Sequence, residues 1–188
     1  RKNIGGVLYT LNYGEVSGLA LDPIEKKPLY HFYPGSLILS VGSRGCNLNC
    51  GFCQNWPSVQ GEYPMETLNP SELVDLAEAT KKRGNIGIAF TYTEPLVWYE
   101  YVLAGAKEAR RRGLKTVLVT NGFVSLQPWL ELLDTIDAVN IDLKAFNTDF
   151  YRDNCKGSLE PVQEAIAAAV GKCHVEVTTL LIEGQNTR

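Results

Sequence analysis

The chain has 188 residues, 45% of them hydrophobic and 21% charged, with a formal net charge of −3. That size suits one domain around a single core, and the balance of residue types excludes a disordered or membrane-embedded class. The slight acidity argues against a protein that grips nucleic acid through its overall field. There is no apolar run of the ~18 residues that would signal a membrane span, and the N-terminus lacks the charged-then-apolar pattern of a secretory signal. The expected setting is therefore cytoplasmic, with neither membrane nor nucleic acid as a partner.

Residues 1–36 read as an N-terminal β extension. Two short runs, 7–11 and 16–20, joined near Tyr13 and Gly14, predict a hairpin packed outside the main unit. From Leu37 onward apolar runs alternate with helical patterns, which is the mark of repeated β-α units and a parallel sheet. Strands are expected at 37–41, 86–90, 116–119, 138–141 and 175–182. Asn69, Pro70 and Glu72 supply an N-cap, a proline at the first helical position and a capping-box acid, so a helix should start there. Leu73, Leu76, Ala77 and Thr80 continue it at helical spacing, and Gly84 ends it. Further helices are expected before Gly113 and over 160–170. The basic triplets Lys81-Lys82-Arg83 and Arg110-Arg111-Arg112 fall in predicted last turns, where cations complement the helix dipole. An eightfold barrel takes about 250 residues, so residues 37–188 are expected to form an incomplete parallel β/α barrel, truncated at its C-terminal end.

Five cysteines in a reducing compartment point to metal or redox chemistry before disulfides. Cys46, Cys50 and Cys53 form a C-x3-C-x2-C array in the Gly-containing loop after the first barrel strand, whereas Cys155 and Cys173 stand apart without ligand spacing and read as small packed residues. Thiolates suit iron–sulfur clusters and zinc. A closed structural zinc site needs four ligands, and the nearest histidine, His31, lies upstream. A four-iron cubane held by three cysteines would keep one iron open.

In parallel barrels the chemistry gathers on the loops at the C-terminal ends of strands. Those loops carry Thr91-Tyr92-Thr93-Glu94-Pro95, Thr120-Asn121-Gly122 and Asp142-Leu143-Lys144. Strand alternation puts Asp142 and Lys144 on one side. Glu94 could equally be a helix N-terminal acid, Phe52 a loop-packing ring, and Asp142 with Lys144 a surface ion pair. His174 reads as structural, at a strand start away from the chemistry. His31, beside Phe32 and Tyr33, could pack above the cysteine loop.

The segment 45–56 and its cysteine spacing resemble the radical S-adenosylmethionine (radical SAM) superfamily and, within it, the pyruvate formate-lyase activating-enzyme branch. Asp22-Pro23-Ile24-Glu25-Lys26-Lys27-Pro28-Leu29, His31-Phe32, Pro34-Gly35-Ser36 and Cys53-Gln54-Asn55-Trp56 resemble the radical enzymes of the AmmeMemoRadiSam system. The resemblance implies a 4Fe-4S cluster on Cys46, Cys50 and Cys53, whose open iron chelates S-adenosylmethionine. Phe52 would meet the adenine, and Tyr92, Thr93 and Glu94 stand where relatives carry a Gly-Gly-Glu-Pro motif for the methionine amino group. Asn121 would approach the ribose or methionine moiety, and Asp142 and Lys144 the charged ends of the ligand. Val119 stands where some relatives carry an aspartate. The implied reaction is reductive cleavage to a 5′-deoxyadenosyl radical, then hydrogen-atom abstraction from a glycyl residue of a partner enzyme, from another protein or from a small molecule. A flavodoxin or ferredoxin is the expected electron donor. From another class, the rival reading is a non-catalytic metal module at a partner interface.

Overall fold

The computed structural model describes residues 1–61 and 64–187. In chain order the elements are β1 (Lys2–Ile4), β2 (Val7–Tyr9), β3 (Glu15–Val16), β4 (Gly18–Pro23), β5 (Leu37–Gly42), α1 (Trp56–Gln60), β6 (Glu66–Thr67) and α2 (Pro70–Ala79). They continue with β7 (Asn85–Phe90), α3 (Tyr99–Arg111), β8 (Lys115–Thr120), α4 (Leu126–Leu133), β9 (Ala138–Asp142), α5 (Thr148–Phe150), α6 (Glu160–Ala169) and β10 (His174–Thr178). The principal sheet runs β10-β9-β8-β7-β5-β4; its strands are parallel except for β4, which lies antiparallel along β5.

The four inner strands β5, β7, β8 and β9 bury both faces, as their near-continuous apolar runs require. Leu39 and Val41, Ile88 and Phe90, Leu118, and Val139 and Ile141 face the helices in one core with Leu73, Tyr101, Trp129 and Val162. Alternate residues Ile38, Ala89, Val117 and Ala138 face the other way and meet Ile24, Leu29 and Phe32. That second core exists because the chain between β4 and β5 crosses the concave face of the sheet. The amides of Tyr30 and His31 donate to the two oxygens of Glu176 on β10, each at 2.9 Å, and Asn140 Nδ2 on β9 donates to Pro28 O at 3.0 Å. A segment leaving β4 at one edge thus reaches β10 at the other, and the sheet curves around it as a partial barrel.

Several expectations are corrected here. The N-terminal hairpin pairs β1 with β2; the 16–20 run does not return to 7–11, because its Gly18 onward finds a full ladder along β5, with Gly18 opposite Gly42 and Pro23 opposite Leu37. Glu15 and Val16 pair instead with β6. The helix begun by Asn69 has its capping box, with Glu72 N to Asn69 Oδ1 at 3.0 Å and Asn69 N to Glu72 Oε2 at 2.8 Å. It ends at Ala79, however, and Lys81–Arg83 form a separate 3-10 turn closed by Gly84 at φ +95°. The last strand stops at Thr178, short of residue 182. His31 does not sit over the cysteine loop: its amide is tied to Glu176, part-way along β10, and its side chain is exposed. His174 stands at the start of β10, against Phe32 and 2.9 Å from Glu176, consistent with its structural reading.

Candidate functional site

A cleft of about 700 Å³ opens at the C-terminal ends of the parallel strands and continues into the concave side of the sheet. Its lining takes in Cys46, Cys50, Phe52 and Cys53 from the loop after β5; Tyr92, Thr93 and Glu94 from the loop after β7; Asn121 from the loop after β8; and Asp142 and Lys144 from the end of β9. All ten residues singled out from the sequence meet there. The local cause is strand alternation: the last residue of each strand and those just beyond it project past the sheet into a common space.

The cysteine loop is braced from two sides. Asn121 Nδ2 donates to Asn47 Oδ1 at 2.8 Å and stands 3.5 Å from Cys46 Sγ, while the Leu48 amide donates to the same sulfur at 3.4 Å. On the other side, the amides flanking Cys50 bond to the turn after α5, Asn49 N to Cys155 O at 2.9 Å and Gly51 N to Asn154 O at 3.1 Å. Burial and the nearby Glu94 push the Cys46 thiol up to about 11. A hydrogen bond with the Cys155 thiol, together with burial, pushes Cys50 up as well. Cys155, which reads from sequence as an unconnected residue, is thus the buried neighbour of Cys50. No spacing signal could have placed it there, because the contact depends on the π-helical turn Tyr151–Cys155. Cys173 lies away from the cleft, at the bridge preceding β10.

Glu94 is almost fully buried, and the structure gives it the N-terminal acid role that the sequence allowed. It caps the 3-10 turn Pro95–Trp98 through Leu96 N at 3.0 Å, and it ties β8 through Thr120 Oγ1 at 2.6 Å and Asn121 N at 2.8 Å. Those three bonds leave lone-pair capacity on Oε2, facing the cleft lining. Burial raises the Glu94 carboxyl to about 7 against these bonds. Lys144 Nζ donates to Asp142 Oδ2 at 2.7 Å; burial disfavours the Lys144 charge, and Asp142 outweighs it, so the ammonium is held above its usual range.

The side chains of Tyr92 and Thr93 both bond within the protein. Thr93 Oγ1 donates to Ser43 O at 3.2 Å. Tyr92 has φ +69°, and the Thr93 amide bonds back to Thr91 O at 2.9 Å across it, a γ-turn of the strained, positive-φ kind. Its ring descends past Gly42, where a Cβ would stand 2.7 Å from Thr91 O and 3.0 Å from Tyr92 Cβ. Its hydroxyl donates to Asp22 Oδ2 at 2.7 Å, deep in the cleft. Asp22, Lys26 and Lys27 therefore belong to the site, and sequence reasoning missed them as site residues. Their string was legible only as a motif, and its charged residues look like an exposed turn until the segment folds across the sheet.

Among the described residues, no three His, Cys, Asp or Glu side chains converge as they would around a single metal ion. Three thiols that line one cleft without meeting at a point fit a cubane, in which each would bind a different iron, better than one zinc ion. The donors to Cys46 Sγ fit as well, since N–H bonds to sulfur help set cluster potentials.

A partial β/α barrel with a three-cysteine loop after its first parallel strand defines a class of cluster-binding enzyme. The model of the radical SAM superfamily matches residues 40–188. The chain belongs to that superfamily, whose members use a 4Fe-4S cluster and S-adenosylmethionine. It is 45% identical over 99% of its length to the uncharacterized protein MJ0808 of Methanocaldococcus jannaschii, covering 55% of that protein. It is 30% identical to the pyruvate formate-lyase 1-activating enzyme of Escherichia coli over 58% of this chain and 46% of that one. The chain thus spans about half the length of these curated relatives. Among solved structures, TYW1 with a lysine-pyruvate adduct bound superposes with a TM-score of 0.56 at 20% identity, over 89% of this chain and 66% of the other, which supports the fold. No described helix is long and apolar enough to cross a membrane.

Proposed function

We propose that Cys46, Cys50 and Cys53 hold a 4Fe-4S cluster, and that the chain is the core of an enzyme that cleaves S-adenosylmethionine reductively and abstracts a hydrogen atom from a substrate. The observation that carries this is the sharing of one cleft by the three thiols and by Glu94, Asn121, Asp142 and Lys144 from three other post-strand loops. Held by Cys46, Cys50 and Cys53 and reduced by a cytoplasmic carrier of the flavodoxin or ferredoxin type, a cluster would supply the electron for cleavage of S-adenosylmethionine to methionine and a 5′-deoxyadenosyl radical. The protein's part is to bind, orient and exclude water. Glu94 receives the methionine amino group on its remaining lone pair, and the Asp142–Lys144 pair presents both charges to the ligand's polar ends. Asn121 fixes the cysteine loop against β8, and Phe52, packed 5.7 Å from the Phe150 ring, offers a face to the adenine. A glycyl Cα of a partner enzyme is a second reading for the hydrogen donor. Its support is the likeness to the pyruvate formate-lyase 1-activating enzyme and the activating-enzyme character of the segment 45–56.

Anaerobic reconstitution tests the proposal. The wild-type chain should take up about four irons and, with dithionite and S-adenosylmethionine, release 5′-deoxyadenosine. Cys50→Ala should lose the iron, whereas Cys155→Ala, a neighbour and not a ligand, should retain it. Equal iron in both variants would refute the ligand assignment, and zinc in place of iron would refute the chemistry.

A further inference from the structure

The cleft has a second end. Its floor is built from Asp22 on β4 and Lys26, Lys27 and Pro28 just after it, none of which belongs to a loop that follows a parallel strand. Lys27 is only 2% exposed. Its Nζ donates to Asp22 Oδ2 at 2.9 Å and lies 4.6 Å from the centroid of the Tyr92 ring. Lys26 Nζ reaches the other oxygen, Asp22 Oδ1, at 3.3 Å. With the Tyr92 hydroxyl, one carboxylate therefore receives three donors, two of them cations. Burial alone would raise the Asp22 carboxyl, but bonds from Lys27, Tyr92 and Lys26 hold it well below the usual carboxylate range.

A buried ion pair kept for structure needs one cation per carboxylate, because each desolvated charge costs several kcal/mol and wants a matching partner, roughly. Lys27 and Asp22 meet that one-to-one match, and Lys26, largely exposed, adds a second cation that also lines the cleft. Each ammonium carries three N–H donors and gives one to Asp22, so donors remain on both. Tyr92 keeps a backbone conformation that tyrosine disfavours, and such positions persist where the surroundings over-determine them, with a concentration at ligand sites. The hydroxyl-bearing Thr178 and Thr179 line the same cleft. The floor thus combines two cations that keep spare N–H donors with two hydroxyls, all lining one cleft.

We propose that this floor is the subsite for the anionic head, a carboxylate or a phosphate, of a small-molecule substrate, gripped by Lys26 and Lys27 while Asp22 and Tyr92 fix their positions. The cleft's volume lies within the ~300–1,000 Å³ typical of small-molecule sites, and its cysteine end and floor are continuous. An anchored head would leave the remainder of the substrate extending toward the cysteines. The inference deepens the radical reading, on which it rests for the claim that the bound molecule is a substrate.

The test uses the cluster-loaded protein with S-adenosylmethionine at saturation and no reductant. Inorganic phosphate and succinate are titrated separately by isothermal calorimetry, so the two arms tell a phosphate head from a carboxylate one. One saturable site is expected for at least one anion. Lys26→Met, which removes a largely exposed side chain, should weaken it at least tenfold, and Lys81→Met in the surface turn should leave it unchanged. Lys27→Met alone would strand a buried carboxylate, so the Lys27→Met/Asp22→Asn double variant removes the pair together; it too should lose the site. Absence of saturable binding for both anions, or full affinity in Lys26→Met, would overturn the proposal. Anion binding that appears only when S-adenosylmethionine is left out would overturn it as well, by reassigning the lysines to the methionine carboxylate. Failure of the radical reading shows separately, as anion binding in a wild-type protein that forms no 5′-deoxyadenosine.

Discussion

Tyr92 shows how a single residue couples the two ends of the cleft. Its carbonyl accepts from Asn55 Nδ2 at 2.7 Å, next to the cysteine loop, and its hydroxyl serves Asp22 on the floor. The positive φ of Tyr92 is one that glycine adopts without steric cost. Tyrosine is retained against that preference by bonds glycine could not make. Hydrogen bonds to charged groups are worth about 1.5–3 kcal/mol, and Asp22 would keep both lysines, so Tyr92→Phe should destabilise the protein by about 1.5 kcal/mol. Urea denaturation checks this; an unchanged midpoint would mean that the hydroxyl is idle. Residues of this kind divide what was legible from what was not. Glu94, Asn121, Asp142 and Lys144 could be read because they stand at or just beyond the ends of plainly apolar strand runs, where the resemblance to the radical SAM superfamily implies ligand contacts. Asp22 and Lys27 could not, because their burial comes from contacts with β9 and β10, more than a hundred residues further along the chain.

At the scale of elements, local signals succeeded where a local interaction decides the outcome. The helix α2 starts where its capping box says it should. Asn69→Ala removes the acceptor for Glu72 N, and loss of such a cap costs typically about 1 kcal/mol; thermal or urea melts should show a drop of that size, with the cleft unaffected. Where pairing is non-local, sequence was a weaker guide. The 16–20 run carries strand character, but nothing in it specifies β5 as partner over 7–11, and the longer ladder prevailed. The helix α4 is absent from a periodicity reading because Pro128 falls within its first turn and only eight residues are available. Tertiary packing makes it: Trp129, Leu132 and Leu133 are buried, and Trp129 Nε1 donates to Ala165 O on α6 at 2.9 Å. Ion pairs reinforce the outer layer in the same way, with Arg112 at the end of α3 joined to Glu108 of its own helix and to Glu78 of α2.

For the whole molecule, the placement of Glu94 has a consequence for stability. A carboxyl that is fully buried in the fold and raised to about 7, against 4.5 when unperturbed, binds its proton more tightly in the folded state than in the unfolded one. Its contribution is complete below the unfolded value and is lost as pH rises through the folded one. At ~1.4 kcal/mol per pH unit, the metal-free chain should lose on the order of 3 kcal/mol of stability between pH 4.5 and pH 7. Asp22 and Glu176 act in the opposite sense, since both are held below their ordinary values and weaken the fold only toward acid, in a lower pH window. A decline on the neutral side is therefore specific to Glu94 among these carboxylates. Glu94→Gln cannot titrate, so its unfolding free energy, measured by urea denaturation from pH 5 to 8, should stay nearly flat where the wild type falls. A parallel decline in both proteins would trace the effect to another group.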